Sequence, residues 1–182
     1  MKKITFFLTT LFFIGSFDSS ALADTYKYSP YLGIDYAYNH TTARGFSPYY
    51  NIAGAHIGSD YSKYFSTELF VNRSNLNKRH PLNVKTYYIS YGLDLMAYLP
   101  VNCRKTFYLL ATSGIGEYIY TTKFVPLKSH KEHGYGYRFG GGIKYDIDEH
   151  WQTKLIARYV NFDKVSGYDH DNEYSVALEY HF

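Results

Sequence analysis

Beyond residue 24, apolar and polar side chains alternate with a period of two in run after run, and no segment keeps the 3.6-residue period of an amphipathic helix. That pattern confines the chain to sheet, because successive side chains on a strand point to opposite faces. Tyr135 to Ile147 is the sharpest case. Tyr135, Tyr137, Phe139, Gly141, Ile143, Tyr145 and Ile147 form one wall, and Gly136, Arg138, Gly140, Gly142, Lys144 and Asp146 form the other. Leu32 to Tyr38, Phe65 to Asn72, Tyr87 to Leu99, Trp151 to Tyr159 and Tyr174 to Phe182 sort in the same way. Two runs are weaker. Tyr49 to Gly58 sets Ala53, Ala55 and Ile57 against Gly54, His56 and Gly58, and Phe107 to Tyr120 is apolar on both faces around Leu109 and Leu110. Counting both, the reading gives eight strands.

The links between runs alternate in size. Residues 59–63, 100–105 and 148–150 read as short turns, whereas 40–48, 73–85, 121–134 and 163–172 are longer and hydrophilic. The layout is an all-β, up-and-down antiparallel meander with turns at one end and loops at the other. Alternation alone does not say which wall is the core, since a soluble eight-stranded barrel carries the same pattern with its apolar wall inward. Composition bears on that choice: 20% of residues are aromatic, with 23 Tyr and 13 Phe against one Trp. The apolar wall ends repeatedly in such rings, as at Tyr135 and Tyr145, Trp151 and Tyr159, or Tyr174 and Tyr180. Rings of this kind favour the two water interfaces of a bilayer. The opposite wall mixes glycine with both signs of charge. There Asp35, Glu68, Asp94 and Glu179 can pair with Arg138, Lys144, Lys154 and Arg158, an interior charge network in a lumen wide enough only for side chains.

The last run, Tyr174-x-Val176-x-Leu178-x-Tyr180-x-Phe182, resembles the C-terminal signal read by the bacterial barrel-assembly machinery. Gly140 to Phe162 is similar to the strand–turn–strand near the end of OmpA-like and opacity-type surface barrels. Gly140, Gly142, Tyr145, Trp151, Arg158 and Tyr159 occupy the Gly-rich, aromatic and Arg-Tyr places of that pattern. The resemblance implies an eight-stranded transmembrane β-barrel in the bacterial outer membrane, a non-catalytic surface protein that supports the envelope and presents loops for adhesion. Outer-membrane lipid, lipopolysaccharide, the assembly machinery and a host surface ligand are its expected partners; no cofactor, metal or catalytic residue is expected.

Lys2, Lys3, the apolar stretch Ile4 to Gly15 and the small-residue site Ala21-Leu22-Ala23 read as a cleavable secretory signal over 1–23. The barrel domain then occupies 24–182, with no further domain expected. No run of about 18 apolar residues offers a spanning helix. With 19 Lys plus Arg against 16 Asp plus Glu, the charge of +3 is too small to point to nucleic acid. A single cysteine, Cys103, excludes an internal disulfide and any multi-thiolate metal site.

The long segments carry the remaining candidate chemistry. They are basic on balance, and Asn77-Lys78-Arg79-His80 is their densest cluster, a patch suited to lipopolysaccharide phosphates or to an acidic host ligand. His40, His80, His130, His133 and His170 all fall in them, which would gather imidazoles at the barrel mouth. His56 and His181 stand on the inward wall. A lipid A-modifying enzyme is the alternative function, but Ser129-His130 and Ser166 lie in loops and nothing fixes a base beside a nucleophile. A small gated channel, opened by rearranging the interior charges, is a further alternative. A wide water-filled pore is excluded, because such lumens need about 16 strands.

Overall fold

The computed structural model describes residues 29–43, 47–75, 77–79, 84–124, 129–163 and 168–182; the expected leader, residues 1–23, lies outside them. Eight strands run through the described residues: β1 (Ser29–Ala43), β2 (Tyr49–Ser62), β3 (Phe65–Ser74), β4 (Val84–Pro100), β5 (Phe107–Phe124), β6 (Ser129–Asp146), β7 (Trp151–Asp163) and β8 (Tyr168–His181). A short stretch, Asn77–Arg79, prolongs β3 along β4. Each strand pairs antiparallel with its neighbours in sequence, and β8 pairs back onto β1. The sheet therefore closes. Closure leaves no row of open amide groups, which is the condition for a sheet to sit in hydrocarbon.

The polar wall faces inward. Asp94, Lys154 and Glu179 are at most 1% exposed, while Ile34, Leu69 and Leu155 on the opposite wall are 64%, 58% and 51% exposed. A soluble barrel would show the reverse. The outer wall is a continuous apolar surface far larger than a water-soluble monomer displays.

Glycine lets the strands come close where the lumen is narrow. A Cβ on Gly140 would meet the Ala157 carbonyl oxygen at 2.1 Å, and one on Gly142 would meet that of Leu155 at 2.0 Å. Both obstacles are backbone, so neither can rotate away.

The ambiguous fifth run resolves by parity. Leu109 points out and is 48% exposed, whereas Leu110 points in and packs with Met96, Tyr98, Tyr108 and Ile156 near the short-turn end. Both are apolar because the lumen contains an apolar layer of its own.

Two sequence expectations need correction. The turn read at 59–63 is strand as far as Ser62, and only Lys63 and Tyr64 turn. The long segments are also shorter than read. Residues 121–124 and 129–134 continue the β5–β6 ladder, pairing Thr121 with Lys131 and Tyr118 with Gly134. Strands that project beyond a bilayer are wet on both faces, so they lose the alternation by which strand is recognised.

Candidate functional site

The lumen is built in layers, and each layer draws its side chains from inward positions on several strands. At the centre, Lys154 of β7 places its ammonium 2.5 Å from Glu179 Oε1 of β8 and 3.2 Å from Glu68 Oε2 of β3. His56 of β2 joins them: Nε2 lies 2.9 Å from Glu179 Oε1, and Nδ1 lies 3.2 Å from Asp35 Oδ1 of β1. Only a doubly protonated imidazole can donate at both positions. His56, Glu68 and Glu179 lie close enough together to chelate a metal ion. The Lys154 ammonium already supplies the positive charge between the two glutamates.

One layer nearer the loop end, Arg138 of β6 donates to Asp94 Oδ2 at 2.7 Å, and its guanidinium lies 3.9 Å from the centre of the Phe70 ring. Arg158 of β7 donates to Glu173 Oε1 and to Ser175 Oγ, both at 3.0 Å, and approaches Asp94 Oδ2 at 3.5 Å. Toward the short turns, Lys144 faces Asp146 at 3.5 Å, with its ammonium over the rings of Tyr98 and Tyr108. All eight charges named from the sequence thus point into the lumen. Asp60, Glu173, Asp146 and Asp171 also point there and were not singled out, although their parity on the strands marks them. Buried charges of this kind need such partners, because an unpaired one costs several kcal/mol (order of magnitude).

The mouth is closed by aromatic rings, which the reading of a polar interior did not anticipate. Tyr50, Tyr88, Tyr118, Tyr120 and Phe162 form a buried cluster with Ala37, Ile52 and Val160. Beside it, Asn39 donates to Tyr88 Oη at 3.0 Å and to Asp171 Oδ2 at 2.7 Å. The cavity between Asp35, His56, Asn72, Arg138 and Arg158 measures about 10 Å³, which admits roughly one water. Ionic layers and rings together fill the cylinder.

The four described histidines of the long segments each contact a different neighbour. His40 stacks on Tyr49 at 4.6 Å and His170 on Tyr159 at 5.2 Å. His133 pairs with Glu117 at 3.0 Å and His130 with Glu132 at 3.4 Å. All four stand on strands rather than in loops, which corrects the expectation drawn from their polarity. The Glu117–His133 pair also takes a bond from the Tyr91 hydroxyl at 2.5 Å, on the outer wall. Of the basic patch, the backbones of Lys78 and Arg79 pair with Lys85 and Val84; their side chains, and His80 altogether, lie outside the described residues. Cys103 is exposed in a short turn. In the turn between β6 and β7, Asp148 accepts the amides of His150 and Trp151 at 2.8 Å, and these bonds hold its carboxyl below the usual aspartate range.

The terminal run lies along β8 with Tyr174, Val176, Leu178 and Tyr180 facing outward, followed by Phe182, which is 74% exposed. Phe182 donates its amide to the Pro30 carbonyl at 3.1 Å, continuing the seam that closes the barrel. Trp151, Tyr180 and Phe182 meet edge to face at 5.1 and 5.4 Å.

Comparison with known structures agrees with this architecture. Neisserial surface protein A superposes with a TM-score of 0.74 at 13% identity, over 86% of this chain and 100% of that one. Ail, the attachment invasion locus protein of Yersinia pestis, crystallised with the heparin analogue sucrose octasulfate, gives 0.64 at 11% identity over the same shares. The N-terminal β-barrel domain of Pseudomonas aeruginosa OprF gives 0.62 at 11%, again over 86% and 100%. At such identities the likeness shows the fold alone. No curated protein sequence matches the chain. The family model for the outer membrane protein beta-barrel domain matches residues 9–182. The chain belongs to that family of bacterial outer-membrane barrels.

Proposed function

We propose that the protein is a non-catalytic surface barrel that reinforces the outer membrane and uses its loop end for contact with the surroundings. The filled lumen carries this reading. Paired charges and a tyrosine seal leave the interior with a structural task, so interaction falls to the loop end and the outer wall. Residues 1–23 would direct export and be removed, leaving a barrel over 24–182. Tyr174, Val176, Leu178, Tyr180 and Phe182 would be the strand recognised by the assembly machinery. The basic patch of Lys78, Arg79 and His80 would supply the positive charge for an anionic host ligand, and the sulfated ligand in complex with Ail makes that ligand class the first to test.

Binding of cells bearing the wild type or the Lys78→Ala/Arg79→Ala variant to heparin-coated surfaces tests the proposal. Reduced attachment at equal surface abundance is the expected result. Attachment that persists unchanged would remove the patch from the reading, and a changed lipid A acyl pattern on deletion of the protein would replace it with an enzyme.

A further inference from the structure

Among the described residues, every carboxylate of the lumen but one has a basic side chain within 3.9 Å. Asp171 of β8 is the exception. It is fully buried at the mouth, and no described lysine, arginine or histidine pairs with it. Its Oδ2 accepts the Asn39 amide at 2.7 Å and the Tyr120 hydroxyl at 3.5 Å, while Oδ1 has no hydrogen-bond partner. Ionised, Asp171 would be a buried charge with a bare oxygen and no counter-ion. A proton on Oδ1 removes that charge and needs no more room than the site offers.

The same side chain is tied to the tyrosine seal. Asn39 gives its second amide hydrogen to Tyr88 Oη at 3.0 Å and accepts the Thr41 hydroxyl at 3.2 Å. Tyr120 stacks on Tyr168 at 4.1 Å and leans on Tyr88 at 5.0 Å. The titratable groups packed around the mouth with Asp171 are Tyr50 of β2, Tyr88 of β4, Tyr118 and Tyr120 of β5, and Tyr168 and Glu173 of β8. β1 presents Asn39 and Thr41 there, β3 presents Ser74, and β7 presents Val160 and Phe162. Glu132 of β6 stands opposite Tyr120 and pairs with His130, while Glu173 takes Arg158, the cation of the next layer. Asp171 pairs across the ladder with Thr41 and Val160, and the outward residues at that height are His40, Thr42, Tyr159, Asn161, His170 and Asn172. Such polar groups stand above the hydrocarbon, so the site exchanges protons with the external medium.

We propose that Asp171 is a proton-binding site that sets how tightly the mouth is sealed. Protonated, it lies neutral among the rings and the seal is tight. Ionised, with its proton released to the external medium, it draws water toward Oδ1 and loosens Asn39, Tyr88 and Tyr120. Burial pushes the carboxyl up to about 7, against the hydrogen bonds from Thr41 and Asn39 that favour the charged form. An aspartate in the unfolded chain titrates near 4, so the neutral form stabilises the seal fully below about pH 4 and ceases to as the pH rises through about 7.

Two measurements on the mature barrel in lipid vesicles test this. Infrared spectra recorded across that pH range should show the carbonyl stretch of a protonated carboxyl persisting toward neutral pH in wild type and missing from Asp171→Asn. Asp171→Glu, which keeps the acid, should retain the band. Asp60→Asn should leave it in place, although Asp60 has only His181, at 3.9 Å, as its basic neighbour. Amide hydrogen exchange in peptides carrying Asn39, Tyr88 and Tyr120 reads the seal, and the ratio of wild-type to Asp171→Asn rates at each pH cancels the intrinsic dependence. That ratio should rise by up to about tenfold per pH unit between about 4 and 7, then level off. Heat-modified gel migration checks that each variant is folded. A wild-type spectrum with no protonated carboxyl above about pH 5 would overturn the proposal, as judged against the ordinary aspartate range. So would a band that disappears with Asp60→Asn instead, or an exchange ratio that does not change with pH.

Discussion

Lys154 and Lys85 stand on the same barrel and are held in opposite ways. Lys154, inside and 1% exposed, has two glutamates within 3.2 Å and a tyrosine ring at 5.0 Å. Lys85, outside, faces a second lysine across the ladder. An interior in which water is scarce must contain the counter-charge of every ion, and here five strands contribute one central ionic layer. A rim that meets headgroups and water can leave its counter-ions to the surroundings. The difference teaches that charge on the inner wall specifies the fold, while charge on the outer wall specifies what the fold touches.

The comparison breaks most sharply at Lys154. Lys154→Met leaves Glu68 and Glu179 facing each other with His56 alone between them, and should cost about 3–5 kcal/mol. Urea unfolding in lipid vesicles measures this, and adding Glu68→Gln and Glu179→Gln should recover part of the loss. Lys85→Ala, by contrast, should leave unfolding unchanged. A comparable loss at both sites would erase the distinction between the walls.

Placing a charge on the outer wall sharpens the distinction by depth. Leu155→Arg, in the middle of β7, should destabilise by about 2–4 kcal/mol, and Tyr49→Arg, at the loop end of β2, by about 0–1 kcal/mol. The same urea titration reads both. Equal costs would mean that the wall crosses no hydrocarbon. Gly140→Ala or Gly142→Ala puts a methyl group against a backbone carbonyl and should cost about 1–3 kcal/mol through forced strand separation. Tyr180→Ala removes edge-to-face contacts with Trp151 and Phe182 and should cost about 0.5–1.5 kcal/mol beyond the area lost.

How far the sequence reached differs along these same walls. The strands of β6 and β7 are legible because Arg138, Lys144, Lys154 and Arg158 mark one parity and Tyr137, Phe139, Leu155 and Tyr159 the other. β5 is not, since Leu110 faces an apolar layer inside the barrel while Leu109 faces outward, and hydrophobicity cannot separate two apolar surroundings. The projecting ends of β5 and β6 read as loop because both faces there are wet. The charges of the lumen were visible, but their partners were not. Asp94 meets Arg138, 44 residues away, only because the register aligns both with Gly114 of β5, which has no side chain to keep them apart. The tyrosine seal went unread for a related reason. Tyr88, Tyr118 and Tyr120 occupy inward parity, yet a residue type that serves equally well in an interfacial belt does not announce which side it is on.

The claim beneath all of this is that the apolar wall faces lipid. The chain has one tryptophan, Trp151, on that wall at the short-turn end, 41% exposed. Its fluorescence in vesicles of brominated phospholipid is the direct measurement. The account predicts blue-shifted emission, quenched more strongly by bromines placed near the headgroup than by bromines placed deep in the acyl chains. Emission typical of indole in water, unquenched by either lipid, from a protein that stays folded and monodisperse in buffer without detergent, would contradict it.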